Sequence, residues 1–169
     1  MTELRLRPLR EEDEAQARRA HGELSAEQFT FLLDWDPAAP WADHVRDLEL
    51  RRCGLRVPEG RVPATFLVAG VGGDLVGRVS VRHRLTDRLA VVGGHIGYAV
   101  RPAHRGRGYA TEMLRQALVV ARSHGVDDVL LTCDDTNAAS AAVITRCGGV
   151  LDGVHVDQDG RRVRRYRIA

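Results

Sequence analysis

The chain contains no lysine, so all 25 residues counted as Lys+Arg are arginine. That absence excludes a phosphate loop of the Gly-x4-Gly-Lys-Ser/Thr kind, whose lysine reaches the phosphates. Cysteine is scarce too. Cys53, Cys133 and Cys147 are odd in number and widely spaced, which matches no zinc-ligand pattern and suits a reducing cytoplasm. No apolar run is long enough to span a bilayer, and the charged start Met1–Arg7 does not read as a signal peptide. The expectation is a cytoplasmic protein without a membrane partner. A net charge of only +2 leaves no global field that demands nucleic acid or membrane. The all-arginine usage, beside many Ala and Gly, reads as GC-rich bacterial coding bias rather than chemistry. At 169 residues, one core and one domain over 1–169 are expected.

What the chain does carry is a strand, an Arg/Gly loop and a helix start in immediate succession. Ile96-Gly97-Tyr98-Ala99-Val100 reads as a strand closed by Pro102. Met113, Leu114, Ala117, Leu118 and Ala121 repeat at helical spacing. Between them lie Arg105-Gly106-Arg107-Gly108-Tyr109-Ala110. Such a loop aims unpaired backbone N–H groups at one point, at the positive end of a helix dipole, and that is a phosphate site. Gly106 and Gly108 remove Cβ atoms where a ligand would approach the main chain. A dinucleotide fingerprint is excluded, because Thr111 stands where its third glycine belongs.

Periodicity organises the rest. Leu4, Leu6 and Leu9 start a strand that runs into the acidic Glu11-Glu12-Asp13, suited to a helix N-terminus. Residues 14–33 carry one or two helices, and Trp41–Leu50 another. Gly54–Pro63 is a loop, Ala64–Ala69 a strand, and Gly72-Gly73-Asp74 a hairpin turn. Leu75–Leu85 is its partner, with Val79 and Val81 alternating against Arg78 and Arg82. Asp87-Arg88 turns into the strand that feeds the loop. Val126–Cys133 is a strand, Asn137–Cys147 a helix, and Val150–Val156 and the segment ending at Ile168 are the last strands. A mixed α/β domain follows, with a central mixed sheet.

Arg105-x-x-Gly108-x-Ala110, after Val100-Arg101-Pro102, resembles the acetyl-CoA pyrophosphate loop of the GNAT acyltransferases, Arg/Gln-x-x-Gly-x-Gly/Ala. Asn137-Ala138-Ala139-Ser140 resembles the helix start that lies near the pantetheine arm in that family. Gly-His-Ile-Gly-Tyr and Gly-Gly-Val-Leu are similar to segments of a bacterial sub-group. The resemblance covers about Gly93 to Gly149 and implies the GNAT fold, a mostly antiparallel sheet flanked by helices. It also implies acetyl-CoA as co-substrate, no metal, and direct transfer of acetyl to a primary amine without an acyl-enzyme. Tyr98, Ala99, Val100, Arg105, Gly106, Arg107, Gly108, Tyr109, Ala110, Asn137 and Ser140 fall in the cofactor-binding positions it implies. The amides of Ala99 and Val100 would polarise the thioester carbonyl. Dimerisation is common in the family, but no feature of the sequence locates an interface.

The chemistry also needs a base. His95 is the first candidate, four residues before the expected thioester contact, with an ordinary pKa of ~6.5. A strand histidine hydrogen-bonded to a neighbour is the alternative reading, and His83 and Asp134 are further candidates. The family's proton-donating tyrosine, seven residues after the helix asparagine, is Ile144 here, and the aromatic that follows the helix glycine is Gly149. Cys133 and Cys147 sit in apolar contexts and read as small buried hydrophobes.

Two charge features complete the reading. Asp34, Asp36, Asp43, Asp47 and Glu49, with Trp35 and Trp41, suggest a small cationic or amine-bearing acceptor, against the plainer reading of solvated faces and caps. Arg161–Arg167 could contact nucleic acid, or could be a charged edge strand that discourages aggregation. The second is favoured, since Asp and Glu nearly balance the arginines. A non-catalytic acyl-CoA-binding or nucleic-acid-binding module is the rival function.

Overall fold

The computed structural model describes residues 3–169, and the first residues of the segment weighed as a leader lie outside them. Four strands form one sheet in the order β1 (Arg5–Pro8), β2 (Ala64–Val71), β3 (Asp74–Arg82) and β4 (Ile96–Val100). Three form another: β5 (Val129–Asp134), β7 (Arg162–Ile168) and β6 (Val150–Val156), with β7 in the middle. Every ladder within the sheets is antiparallel. The expectation of a mostly antiparallel sheet with flanking helices holds. Its division into two pieces was not visible in the sequence.

The β2–β3 hairpin turns at Gly72 and Gly73, both at positive φ, the conformation a tight hairpin demands. Helices α1 (Glu14–Ser25) and α2 (Trp41–Arg52) cover one face of the first sheet. Their core includes Phe31, Trp41, Phe66, Val68 and Leu75. Of the one or two helices expected in 14–33, one α-helix forms and stops at Ser25, where Gln28 takes a left-handed φ of 61° and the N–H of Phe29 turns back to Leu24. A short α3 (Asp87–Val91) replaces the simple turn expected there. Thr86 caps it by accepting the Leu89 N–H.

On the other face lies α4 (Tyr109–Ser123), whose Met113, Leu114, Ala117, Leu118 and Ala121 are all buried as the spacing required. Gly77 admits this helix, since a Cβ there would meet the Ala99 carbonyl and the Met113 side chain. Helix α5 (Ala138–Arg146) packs beside α4, with Ile144 fully buried.

The expected alternation on β3 holds, but its arginine face is interior too. Val79 and Val81 face the α4 core, but Arg78 is not on a solvent face: it is 4 % exposed beneath the α1–α2 layer. The sheet is covered on both sides, so the arginine face of the strand is also interior. The last strand departs too. β7 is central rather than at an edge, and the edge is β6, with Val150, Leu151, Val154 and Val156 exposed.

Candidate active site

The two sheets touch where Gly94 bridges Leu131. Gly94 sits at φ 61°, and a Cβ there would run into the Leu130 carbonyl. Among the described residues, no ladder joins β4 to β5 beyond this bridge, so the strands are separate towards their C-terminal ends.

The register of β4 on β3 decides which amides face that gap. Arg82 N–H donates to His95 O and Arg101 N–H to Val76 O. In the same register, Gly97 pairs with Ser80 and Ala99 with Arg78. Hydrogen-bonded and non-bonded pairs alternate in an antiparallel ladder, so Gly97 and Ala99 are committed to β3. Tyr98 and Val100 point their N–H and C=O the other way. The Val100 carbonyl accepts from Arg105 Nε at 3.1 Å, which leaves its N–H directed into the gap. Of the two amides the sequence suggested, Ala99's is taken by the ladder.

The loop after β4 is held by the α1 side of the molecule. Arg101, 8 % exposed, makes a two-pronged contact with Glu23 at 2.8 and 2.7 Å and donates to the Leu75 carbonyl. Arg105 likewise binds both oxygens of Glu27, at 3.1 and 2.6 Å. These arginines hold both Glu23 and Glu27 well below the usual carboxylate range. Neither glutamate was a sequence candidate, since nothing local links α1 to a loop so distant in the chain. Gly106 and Gly108 adopt φ of 73° and 78°, and a Cβ at either would meet no atom within 4 Å. Gly108 is the N-cap of α4 and supplies no side-chain cap, so the first N–H groups of a fifteen-residue helix are open. Among the described residues, the Arg107 side chain reaches the Ala103 carbonyl alone, at 3.5 Å.

Across the gap, Asn137 caps α5 by accepting the Ser140 N–H at 3.0 Å. The Tyr98 hydroxyl bridges from β4 to the Ser140 hydroxyl at 2.9 Å. Burial pushes this phenol up to about 12. Tyr98, Val100, Asn137, Ser140 and the start of α4 therefore border one opening. His95 does not. It lies at the junction end, where its N–H donates to Leu130 O and its Nδ1 accepts the Leu130 N–H at 2.9 Å. Five residues of strand, about 16 Å at ~3.3 Å each, separate it from Val100. His83 stacks on His124 with centroids 3.6 Å apart and is drawn down to about 4 by burial. Asp134 is paired with Arg161 at 2.7 Å. Burial raises both Cys133 and Cys147, as inert interior thiols require.

Four of the five candidate acids of the N-terminal third are paired with arginines. Asp34 bridges Arg51 and Arg61, both at 2.6 Å; Asp43 pairs with Arg46, Asp47 with Arg56 and Glu49 with Arg52. Asp36 accepts the Ala38 N–H. The C-terminal arginines are laced similarly, Arg161 to Asp134, Arg162 and Arg164 to Asp135, and Arg167 to Asp128. A shallow depression of about 460 Å³ against β1 and the β2–β3 turn, lined by Glu3, Arg5, Arg7 and glycines, lies apart from all this chemistry.

Such a fold, with a split sheet beside an uncapped helix start, is that of the solved acetyltransferases. The yncA acetyltransferase of Salmonella typhimurium, seen with its cofactor acetyl-CoA, is 18 % identical with a TM-score of 0.64, over 98 % of this chain and 92 % of that one. The ribosomal-protein-S5-alanine acetyltransferase of Vibrio fischeri is 14 % identical with a TM-score of 0.70, over 99 % and 93 %. The microcin C7 self-immunity acetyltransferase MccE, in complex with acetyl-CoA and AMP, is 16 % identical with a TM-score of 0.69, over 99 % and 92 %. Comparison with curated proteins returned no match. The family model "Acetyltransferase (GNAT) domain" matches residues 3–150, and the chain belongs to that family. Among the described residues no helix is long and apolar enough to cross a membrane.

Proposed function

We propose that the chain is an acetyl-CoA-dependent N-acetyltransferase that moves the acetyl group directly to a primary amine of a small acceptor in the bacterial cytoplasm. The observation that carries this reading is the alignment of one opening with two kinds of free N–H group. The Val100 amide faces the gap between β4 and β5, and the gap borders the uncapped start of α4. The residues fit the co-substrate. Its pyrophosphate sits on the N–H groups from Gly108 to Thr111, with Arg107 free to add charge. Its thioester carbonyl takes the Val100 N–H, which strengthens as negative charge grows on that oxygen.

The amine attacks the carbonyl carbon, the C–S bond breaks, and CoA leaves as thiolate. Tyr98, whose hydroxyl pairs with Ser140, returns a proton to that sulfur. The role falls to the strand because Ile144 is fully buried and carries no proton. His95 is left out of proton transfer: it is about 16 Å away along the strand, and a base must stand within hydrogen-bond reach or one water. Its Nδ1 lone pair is also occupied by Leu130. Water therefore takes the amine's proton, and the rate rises with pH along the acceptor's own titration.

Thermal unfolding with saturating acetyl-CoA, against ATP and NADH, tests the binding half. A ligand at a hundred times its Kd adds ~2.7 kcal/mol, a shift of roughly 5–10 °C at this size. Thiol release across a panel of amines tests the transfer half. An equal shift with ATP would reduce the loop to a generic anion site. A selective shift without thiol release from any amine would leave a binding module.

A further inference from the structure

The face of β3 turned towards α1 and α2 carries Arg78, Ser80 and Arg82 at every second residue. Beside it lies a cavity of about 50 Å³, lined by Ser80 and Arg82 of β3, Arg51 of α2, and Arg61 with Val62 of the loop before β2. That is room for a few waters or one small anion. The charge there is one-sided. Three guanidinium groups meet in the wall, and Asp34, which holds Arg51 and Arg61, is the one carboxylate paired with any of them among the described residues. Arg82 has no acidic partner among the described residues; one of its amino groups is bound to the Gly93 and Gly94 carbonyls. Ser80, beside it on the strand, is 3 % exposed.

The neighbouring Arg78 extends the same surplus. It donates to Thr30 O at 2.6 Å and Gly97 O at 3.5 Å, stacks over Phe29, and has a buried Nε with no partner. No carboxylate pairs with it among the described residues. Buried cations are ordinarily paired. Two unpaired arginines on one strand face are explained by a negative group that arrives with a ligand.

We propose that this cavity holds the anionic end, carboxylate or phosphate, of the amine acceptor, gripped by Arg51, Arg61 and Arg82. The proposal rests on the acetyltransferase reading for the position of the amine. Ser80 and Arg82 pair with Gly97 and His95, three and five residues before Val100. The anion and the reacting amine then lie about 10–16 Å apart at ~3.3 Å per residue. An α-amino acid's own carboxylate cannot span that. A long ω-amino acid, an ω-aminoalkyl phosphate or a short acidic peptide can.

Two measurements test it. The first is direct binding of inorganic phosphate and of succinate with acetyl-CoA present in saturating amount, for the native chain and for Arg61→Gln and Arg82→Gln. Arg61 is half-exposed, so its variant reports even if Arg82→Gln fails to fold. The second is thiol release with ω-amino carboxylates and ω-aminoalkyl phosphates of increasing length, against alkylamines of matched length. The expected result is an anion-bearing acceptor favoured by about 10- to 100-fold in kcat/KM, the effect of one or two charge-assisted hydrogen bonds. That preference should shrink in both variants, and the two arms tell carboxylate from phosphate. Equal rates for anionic and neutral amines, or anion binding untouched in the variants, would overturn it. If acetyl-CoA fails to bind while either anion binds the native chain but not the variants, the acetyltransferase reading falls and the anion site stands.

Discussion

Replacing Arg78 with methionine should yield a more stable protein that is a poorer enzyme. Burial draws its guanidinium from 12.5 to about 9. At ~1.36 kcal/mol per pH unit, that fall corresponds to about 5 kcal/mol of unfavourable burial of the charge. A guanidinium keeps its proton at neutral pH regardless, so the penalty is carried in full under working conditions. Methionine has similar length, and its removal of the charge is not free. The Thr30 carbonyl loses its 2.6 Å donor, which costs about 1–3 kcal/mol. Stacking on Phe29, at 4.6 Å from the ring centre, is worth about 1–2 kcal/mol when desolvated. The balance lies between about zero and a gain of about 3 kcal/mol, centred near about 1.5 kcal/mol. At roughly 2–4 °C per kcal/mol for a chain of this size, that centre corresponds to a rise in Tm of about 3–6 °C.

Denaturant unfolding measures the first quantity, and thiol release with the best acceptor measures the second. Stability should rise while kcat/KM falls. A variant that loses more than about 1 kcal/mol would refute the reasoning, because Arg78 would then be an anchor for the Thr30 segment whose hydrogen bonds outweigh its burial. A variant that gains stability and keeps full activity would show a buried charge retained for neither purpose.

Three further outcomes follow from the same geometry. Tyr98→Phe should lower kcat by about 10- to 100-fold with the KM for acetyl-CoA little changed, as expected for loss of a positioned acid; an unchanged kcat would pass the proton transfer to water. Gly94→Ala should cost more than ~2 kcal/mol in urea unfolding, since its Cβ meets the Leu130 carbonyl at a left-handed φ, and a variant as stable as the native chain would mean that the sheet junction yields. Finally, His83 is depressed to about 4 by burial beside His124. Its folded value lies below its unfolded one, so its contribution is complete above ~6.5 and lost as pH falls from there to about 4. The urea midpoint should drop over that window, and His83→Gln should flatten part of the drop.

The legible parts of this fold are those set by near neighbours in sequence. The five apolar positions of α4, the Gly72-Gly73 turn and the Asn137 cap each follow from a local rule: a period, a positive φ, or a side-chain oxygen three residues from an N–H. The Arg105–Ala110 loop belongs to the same group, because Gly106 and Gly108 take up left-handed backbone. What stayed hidden depends on partners far along the chain. Asp34 read as free acid, but its charge is taken up by Arg51 and Arg61. His95 read either as a base or as a strand histidine bonded to a neighbour, and the neighbour that takes its Nδ1 lone pair, Leu130, lies far along the chain. Arg78 read as the polar half of an alternating strand, and no pattern within β3 could show that α1 and Phe29 would cover it.

The two departures from the family pattern explain each other. A tyrosine at position 144 would need both room and an approach to the opening. Ile144 has neither, because it is fully buried and its methyl lies where a Cβ on residue 149 would go. Gly149 is therefore the complement of Ile144, and an aromatic at 149 would collide with the Ile144 side chain and backbone. Substituting only one of the pair would overpack the core, a change that typically costs about 1–3 kcal/mol. With position 144 of α5 sealed, the phenolic hydroxyl beside Ser140 comes from β4 instead. Tyr98 is placed on that side by the register of β4, which turns every second side chain the same way, and its hydroxyl lies 2.9 Å from that of Ser140.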